Sequence, residues 1–300
     1  MTPVVAVVLA AGLDRLVAEP PTKLHPVAWL GRGIGTLDRA WRYPRFAGVV
    51  AALSVPLFVA AVAAGVVAVV AAASPVGGAV VAGLVCFVST SRRMLVDEAW
   101  AVVAASEADL PAARERLRSL AGRDATDLSG GEVRSAAVES AAENLADGLV
   151  APLAGFALLA PVSVAAGAAA AAAIKTVNTL DSIFGYRSEP MGWAPARLDD
   201  LIMWLPARVS ACLLAVSGGK PGAVVRARRA AHEPSSPNSG WPMATLAAGL
   251  GVRLGKPGAY VLDGGPDLPT RADADRGITV VSRAGWLAFG LAAAGVIAAC

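Results

Sequence analysis

The feature that most constrains this chain is an apolar stretch, residues 47–73, that contains no charged side chain. A helix needs about 20 apolar residues to cross the hydrocarbon core of a membrane, so this stretch predicts a spanning helix. Charged residues make up only 16% of the sequence, against about 25% in average soluble domains. We therefore predict an all-α, polytopic integral membrane protein that forms a single membrane-embedded domain over residues 1–300.

Several other segments have the length or the apolar character of a membrane helix. The predicted membrane segments are 3–18, 47–73, 76–91, 149–174, 201–217 and 284–300. Pro152 and Pro161 are expected to bend the fourth segment. Segments 3–18 and 201–217 contain charged residues, which are costly inside a membrane and mark functional hypotheses.

The basic residues lie in the polar stretches between these segments. Lys and Arg number five in 19–46, seven in 92–148, three in 175–200 and nine in 218–283. The positive-inside rule predicts that the three richer stretches face the cytoplasm, in a multi-pass protein of the cell (inner) membrane. No basic patch is interleaved with aromatic residues, so nucleic acid is not an expected partner. The expected partner is the lipid bilayer.

Residues 131–148 read as a helix with four carboxylates on one face. Glu132, Glu139, Glu143 and Asp147 follow one another at spacings of seven, four and four, and residues so spaced lie along one side of a helix. Carboxylates this close repel one another, and basic side chains or bound Mg²⁺ usually offset the repulsion. The alternative is a solvated polar face. A site is favoured because the helix runs directly into the apolar segment 149–174.

The stretch 175–200 is dense in polar side chains. Lys175, Asn178 and Ser182 would share one helical face, and two arginines and the pair Asp199–Asp200 follow. Basic side chains can hold phosphate and paired aspartates can hold Mg²⁺. A lysine that snorkels to the membrane edge is the ordinary alternative for Lys175 alone.

Two further loops are candidates, and one nucleotide motif is missing. HEPSSPNSGWP (232–242) is either an anion-binding turn or a surface turn, and EPPTKLHP (19–26) is a rigid loop that carries His25. The two histidines are too few for a multi-histidine metal centre. Gly-Lys occurs at 219–220 and 255–256, but proline follows each time, so no P-loop is formed.

Four stretches in this order resemble the CobD/CbiB family, the adenosylcobinamide-phosphate synthases of cobalamin biosynthesis. They are LDRLVAEPPTKLHPVAWLGRGI, GRDATDLSGGEVRSAAVESAAENLADGLVAPL, KTVNTLDSIFGYRSEPMGWAPARLDD and SPNSGWPMATLAAGLGVRLGKPGAY, between residues 13 and 260. The family usually places a histidine as H-x-SPNSG, whereas His232 lies farther away here and is given no role. The tail after Tyr260 is less characteristic of the family.

The resemblance implies an acid–amine ligase that forms a C–N bond. Such an enzyme would use ATP and Mg²⁺ to join (R)-1-aminopropan-2-ol, or its O-phosphate, to the propionate of adenosylcobyric acid. The product would be adenosylcobinamide or its phosphate. The implied partners are the corrinoid, the aminopropanol (phosphate) and, as candidates for association, other corrinoid-pathway enzymes. No tightly bound cofactor is expected.

Candidate roles follow from the charge types that this chemistry needs. The predicted catalytic residues are Glu139, Glu143, Asp181 and Lys175. The predicted substrate-binding residues are Arg123, Asn144, Asn178, Ser182, Arg187, Arg197, Asn238, Ser239 and His25. The predicted metal ligands are Asp147, Asp199 and Asp200. For His25, a general base and a structural histidine beside Pro26 both stay open.

Two other function classes compete with the ligase. A transporter or permease also combines bent apolar helices with polar residues, but it should concentrate them at mid-membrane. A non-catalytic, AmpE-like membrane regulator should have eroded the polar blocks, which are intact here. One topological conflict remains, because 175–200 would lie opposite the other loops if 149–174 and 201–217 both crossed. Either one of these two segments does not fully cross, or the site is a cavity within the membrane. We favour the first, because Pro152, Pro161, Pro206 and Arg208 would spoil simple crossings.

Overall fold

A computed structural model describes residues 1–122, 124–185 and 189–299. The described chain is predominantly helical, as predicted. In chain order the helices and strands are α1 (Thr2–Val17), α2 (Pro26–Gly35), α3 (Pro44–Ala73), α4 (Pro75–Ser89), α5 (Arg93–Ala108), α6 (Leu110–Leu120), α7 (Gly130–Leu145), α8 (Ala151–Leu159), α9 (Val164–Phe184), α10 (Trp193–Ile202), α11 (Trp204–Ser217), α12 (Ala223–Ala227), α13 (Gly240–Leu250), β1 (Arg253–Lys256), β2 (Tyr260–Asp263) and α14 (Arg271–Ala299). A π-helical turn, Ala146–Val150, joins α7 to α8, and a 3₁₀ turn, Ala230–His232, precedes α13.

Four stretches of continuous or nearly continuous helix in the described chain are long and apolar enough to cross a membrane. They are Pro44–Ala73, Pro75–Ala108, Gly130–Leu159 and Arg271–Ala299, and the bent pair α10–α11 makes a fifth if it counts as one span. These lengths and compositions confirm a polytopic α-helical membrane protein. Helix α1 corresponds to the predicted segment 3–18 and has only 16 residues.

The apolar segment 149–174 is two helices rather than one. Helix α8 ends at Leu159, the chain turns at 160–163, and α9 begins after Ser163, whose Oγ accepts a hydrogen bond from the Ala166 N–H at 3.0 Å. Proline has no N–H to donate and favours such a break at Pro161. The structure therefore differs from a bent single span.

Backbone contacts divide the chain into two compact units. The first unit consists of Met1–Ser91, Asp147–Met203 and Phe289–Cys300, and the second of Arg92–Ala146 and Trp204–Ala288. Each is described separately below.

Small residues let the helices of the first unit approach closely, as in other membrane bundles. A Cβ added to Gly83 of α4 would lie 2.9 Å from the Ala6 carbonyl oxygen of α1. A Cβ added to Gly167 of α9 would lie 2.9 Å from the Ala160 Cβ, at the end of α8. Helix α2 packs its apolar side on α9, through a core of Ile34, Leu180 and Phe184.

The second unit combines helices with one β-hairpin. Helix α7 begins with a capping box, in which Ser129 and Glu132 satisfy each other's backbone N–H groups. Strands β1 and β2 pair antiparallel, with Arg253 opposite Asp263 and Lys256 opposite Tyr260. The turn between them has Pro257 followed by Gly258 at φ 72°, and its Ala259 N–H bonds the Lys256 carbonyl at 3.0 Å. This is the pattern of a type II turn, where a positive φ favours glycine.

Candidate functional site

His25 is held in one orientation at the start of α2. It is the N-cap residue, and its Nδ1 accepts a hydrogen bond from the Val27 N–H at 3.2 Å. The proton of the neutral ring is therefore on Nε2, which lies 3.4 Å from Glu19 Oε2. Burial, and then the positive charge of Lys175, hold the pKa of His25 below its usual value. The imidazole is thus a neutral group whose Nε2 lies next to the Glu19 carboxylate.

Glu19 follows a strained residue at the end of α1. Ala18 has φ 67° and ψ −78°, a conformation that costs a non-glycine residue about 1–3 kcal/mol. Burial raises the pKa of Glu19; the Lys175 ammonium opposes this effect and the Asp14 carboxylate adds to it. A carboxyl group with a raised pKa is better matched to general acid–base work near neutral pH.

Lys175 lies among carboxylates in the first unit. Its side chain is half-buried on α9, and burial lowers the pKa of its ammonium against the opposing charges of Glu19 and Asp147. Asp14, on α1, is fully buried. We refer to Asp14, Glu19, His25, Asp147 and Lys175 as the Lys175 cluster. Burial with specific charge partners is typical of functional sites.

The fold-back at 160–163 explains how Asp147 and Lys175 come together. Gly155 on α8 faces Ala170 and Ile174 on α9, so the two helices run antiparallel. Because the helices are antiparallel, the residues that precede α8 lie beside the C-terminal half of α9, which begins at Lys175. Asp147 lies in the π turn, a feature often found at functional sites, and the adjacent Gly148 carbonyl accepts a hydrogen bond from the Ser91 N–H at 2.9 Å.

The remaining predicted residues of 175–200 also lie in the first unit. Asn178 is half-buried one turn beyond Lys175, and the exposed Ser182 donates its hydroxyl to the Asn178 carbonyl at 2.8 Å. The half-buried Asp181 takes part in polar or electrostatic interactions. On α10, Asp199 and Asp200 are half-buried and also interact, whereas Arg197 is exposed.

Glu139 is fully buried in the second unit and binds the β-hairpin. Its Oε1 accepts hydrogen bonds from the Ser135 hydroxyl at 2.8 Å and the Gly255 N–H at 3.0 Å. Its Oε2 accepts one from the Tyr260 hydroxyl at 2.7 Å. These contacts hold the hairpin on α7, a structural role that residue spacing along α7 did not predict.

The other predicted residues of the second unit are Glu143, Asn144, Asn238 and Ser239. Glu143 and Asn144 are half-buried, and the Asn144 amide donates to the Ser140 carbonyl at 2.9 Å. Asn238 is buried, and its Oδ1 accepts a hydrogen bond from Arg208 Nη1 at 2.6 Å. The Arg208 guanidinium stacks over Trp204 and Trp241. Ser239 caps α13.

Three of the predicted residues, His25, Asp147 and Lys175, lie in one cluster of the first unit. Glu139 and Glu143 belong to the second unit. Arg123 and Arg187 lie outside the described residues. Within the described ranges, no group of three or more His, Cys, Asp or Glu side chains could hold a metal ion. The chain thus presents no preformed metal cage there.

Comparison with known proteins identifies the family to which the four polar sequence blocks belong. The model of the CobD/Cbib protein family matches residues 7–286. The chain belongs to the CobD/CbiB family. A probable cobalamin biosynthesis protein CobD of Methanothrix thermoacetophila is 33% identical over 97% of this chain and 96% of its own length. The cobalamin biosynthesis proteins CobD of Rhodobacter capsulatus (35% identical, 92% of each chain) and Klebsiella pneumoniae (39%, 83% of this chain and 81% of that one) are also similar.

Family membership confirms the resemblance that the four sequence blocks indicated, and the chain is a CobD-family cobalamin biosynthesis protein. No solved structure matches the chain. Sequence reasoning missed two members of the Lys175 cluster, Asp14 and Glu19. A signal for each was available, because Asp14 is a charge inside an apolar segment and Glu19 opens the block that contains His25.

Proposed function

We propose that this chain is an ATP-dependent acid–amine ligase, an adenosylcobinamide-phosphate synthase. It joins (R)-1-aminopropan-2-ol or its O-phosphate to the remaining propionate of adenosylcobyric acid. The relatives' role in cobalamin biosynthesis, over nearly the whole chain, supports the pathway. The observation that carries the reaction class is the Lys175 cluster, where an ammonium group lies among carboxylates beside a neutral imidazole.

Amide formation from a carboxylate makes three demands. The carboxylate needs a better leaving group, so the γ-phosphoryl group of ATP moves to the propionate and ADP leaves. The amine nitrogen then forms the C–N bond, and the bond between the acyl carbon and the phosphate oxygen breaks. The incoming ammonium must also lose a proton to a base, and the charge on the phosphoryl group needs cations.

The Lys175 cluster supplies groups suited to the last two demands. Glu19, whose pKa is raised by burial, is the proposed acceptor of the proton from the amine. His25 places its Nε2 3.4 Å from this carboxylate and is proposed to orient it; it is a positioning residue. Lys175 is the proposed cation for the transferred phosphoryl group, since transition-state charge is stabilised by preplaced cations.

The other predicted residues keep their proposed roles. Glu139, Glu143 and Asp181 stay catalytic predictions, and Arg123, Arg187 and Arg197 are proposed to bind phosphate and the corrinoid carboxylates. Asn144, Asn178, Ser182, Asn238 and Ser239 are proposed to orient substrates through hydrogen bonds.

Magnesium is proposed to arrive with ATP. Mg²⁺ is usually held by one or two carboxylates together with substrate phosphates, so Asp147, Asp199 and Asp200 suffice without a protein cage. When bound, it would neutralise phosphate charge. We further propose that the main loops are cytoplasmic, because they are rich in basic residues and the reaction needs ATP, and that other corrinoid-pathway enzymes associate with them.

Complementation of a strain blocked between cobyric acid and cobinamide tests this proposal. The wild type should restore growth, and Glu19→Gln and Lys175→Gln should abolish it at equal membrane abundance. Glu115→Gln, an exposed carboxylate of an i,i+3 ion pair, is the matched control and should rescue fully. Failure of a well-expressed wild type would reject the ligase. Full rescue by both cluster variants would keep the pathway and reject the site.

A further inference from the structure

Three arginines stand immediately before and within the first turn of the most apolar helix of the described chain. They are Arg39, Arg42 and Arg45, and all are exposed. Helix α3 begins at Pro44, and its most apolar window is only 11% buried inside the protein, so much of its apolar surface is left available to lipid. In the described part of the chain, none of the three guanidinium groups forms an ion pair, and neighbouring Asp38 pairs with none of them.

Positive charges at this place do not stabilise the helix. The N-terminus of a helix carries a partial positive charge, so a cation there, such as Arg45, is unfavourable by a few tenths of a kcal/mol or more. Three adjacent positive charges also repel one another. An anion bound at this position would relieve both effects, which makes the surface complementary to negative charge.

Aromatic rings hold two of the arginines in place. The Arg39 guanidinium lies 4.2 Å from the centroid of the Trp41 ring, and that of Arg42 lies 5.3 Å from the Tyr43 ring. Trp41 is itself fixed, because its Nε1–H donates to the Leu37 carbonyl at 2.9 Å. Tryptophan and tyrosine are enriched at the level of lipid headgroups.

An apolar cavity of about 310 Å³ opens beside these rings, within the first unit. Its lining includes Arg42, the aromatic residues Trp41, Tyr43 and Phe46, and Val50 and Val55 of α3. The combination of a cationic side chain with an apolar groove beside a largely exposed apolar helix fits an amphiphile with an anionic head.

We propose that this groove binds one anionic phospholipid, with its phosphate on Arg39, Arg42 and Arg45 and an acyl chain along Val50 and Val55. Basic residues beside a membrane helix contribute attraction to anionic headgroups, and the groove adds a contact that a freely diffusing lipid lacks. The site is independent of the ligase reaction. It would hold the start of α3, and α2 behind it, at the headgroup level.

Native mass spectrometry of the purified full-length protein tests the site, with phosphatidylglycerol and phosphatidylcholine of identical acyl chains as probes. The wild type should retain phosphatidylglycerol at concentrations at least on the order of tenfold lower than phosphatidylcholine. The reason is that the choline ammonium cancels the phosphate charge, whereas phosphatidylglycerol presents a net negative charge to the arginines. Replacement of Arg39, Arg42 and Arg45 by Gln should abolish this preference. The charge-matched control, with Gln in place of Arg228, Arg229 and Lys256, should keep it.

A second variant tests the groove without changing the charge. Val50 is an exposed residue of α3 that lines the cavity. Val50→Trp should fill the cavity and weaken the retention of phosphatidylglycerol on the order of tenfold. Three results would overturn the proposal: unchanged retention in either the triple Arg variant or Val50→Trp, equal loss in the control, or complete displacement of the lipid by inorganic phosphate, which would indicate a free anion instead. Helicity measured by circular dichroism verifies that each variant is folded.

Discussion

At the scale of single residues, the Lys175 cluster is a set of ionisable groups whose pKa values depend on one another. Burial raises the pKa of Glu19. The charge of Lys175 partly offsets this increase, and the charge of Asp14 adds to it. His25 stays neutral because burial and the nearby ammonium disfavour its charged form. The cluster can therefore bring the pKa of one carboxyl group, that of Glu19, closer to neutral pH without a metal ion.

Asp14→Asn tests this coupling. Because the Asp14 carboxylate raises the pKa of Glu19, its removal should lower that pKa. If Glu19 acts as the base, it is active when deprotonated, so the acid limb of the kcat/KM profile should move to lower pH. The measurement is the rate of amide formation against pH. An acid limb that stays in place in a folded Asp14→Asn protein would exclude Glu19 as the titrating base.

Tyr260→Phe separates structural from catalytic use of Glu139. The substitution removes the 2.7 Å hydrogen bond to a buried carboxylate, so the free energy of unfolding should fall by about 1–3 kcal/mol. Activity per folded molecule should persist if Glu139 serves the hairpin. Tyr43→Phe, at an exposed tyrosine, is the control and should leave stability unchanged. An unaltered melting temperature in Tyr260→Phe would show that the contact does not hold the hairpin.

At the scale of elements, the antiparallel pair α8–α9 positions the site. The pair turns at 160–163 and brings the start of the polar part of α9 back toward the π turn, which contains Asp147. Segment 149–174 therefore does not run on as one helix. Close packing between the two helices depends on Gly155 and Gly167.

Gly167→Ala tests that packing. The new methyl group would lie 3.0 Å or less from the Phe156 carbonyl oxygen and the Ala160 Cβ, and overpacking of this kind costs about 1–3 kcal/mol. Thermal stability should fall, and activity should fall with it because Lys175 and Asp147 separate. Gly65→Ala is the control, since its Cβ would meet nothing within 4 Å. Equal stability of the two variants would contradict the close approach of α8 and α9.

At the scale of the whole molecule, hydropathy and motif order predicted the class and the family. The uncharged stretch 47–73 became α3, and the polar blocks identified the CobD/CbiB family. The turn at 160–163 was not predicted, because Pro161 and Val162 are as apolar as the helices around them. The contact of Glu139 with Gly255 and Tyr260 joins residues more than 100 positions apart, and no local pattern along α7 indicates such a partner.

Reconstitution of the reaction tests the proposed function most directly. Purified protein in lipid nanodiscs would receive adenosylcobyric acid, MgATP and either aminopropanol or its O-phosphate, with product mass and ADP measured together. We expect one ADP per amide formed with one of the two acceptors, and a corrinoid hydroxamate when hydroxylamine replaces the amine. Glu19→Gln should lose the amide product. A folded wild-type protein that binds the corrinoid but forms neither amide nor hydroxamate would contradict an acyl-phosphate ligase.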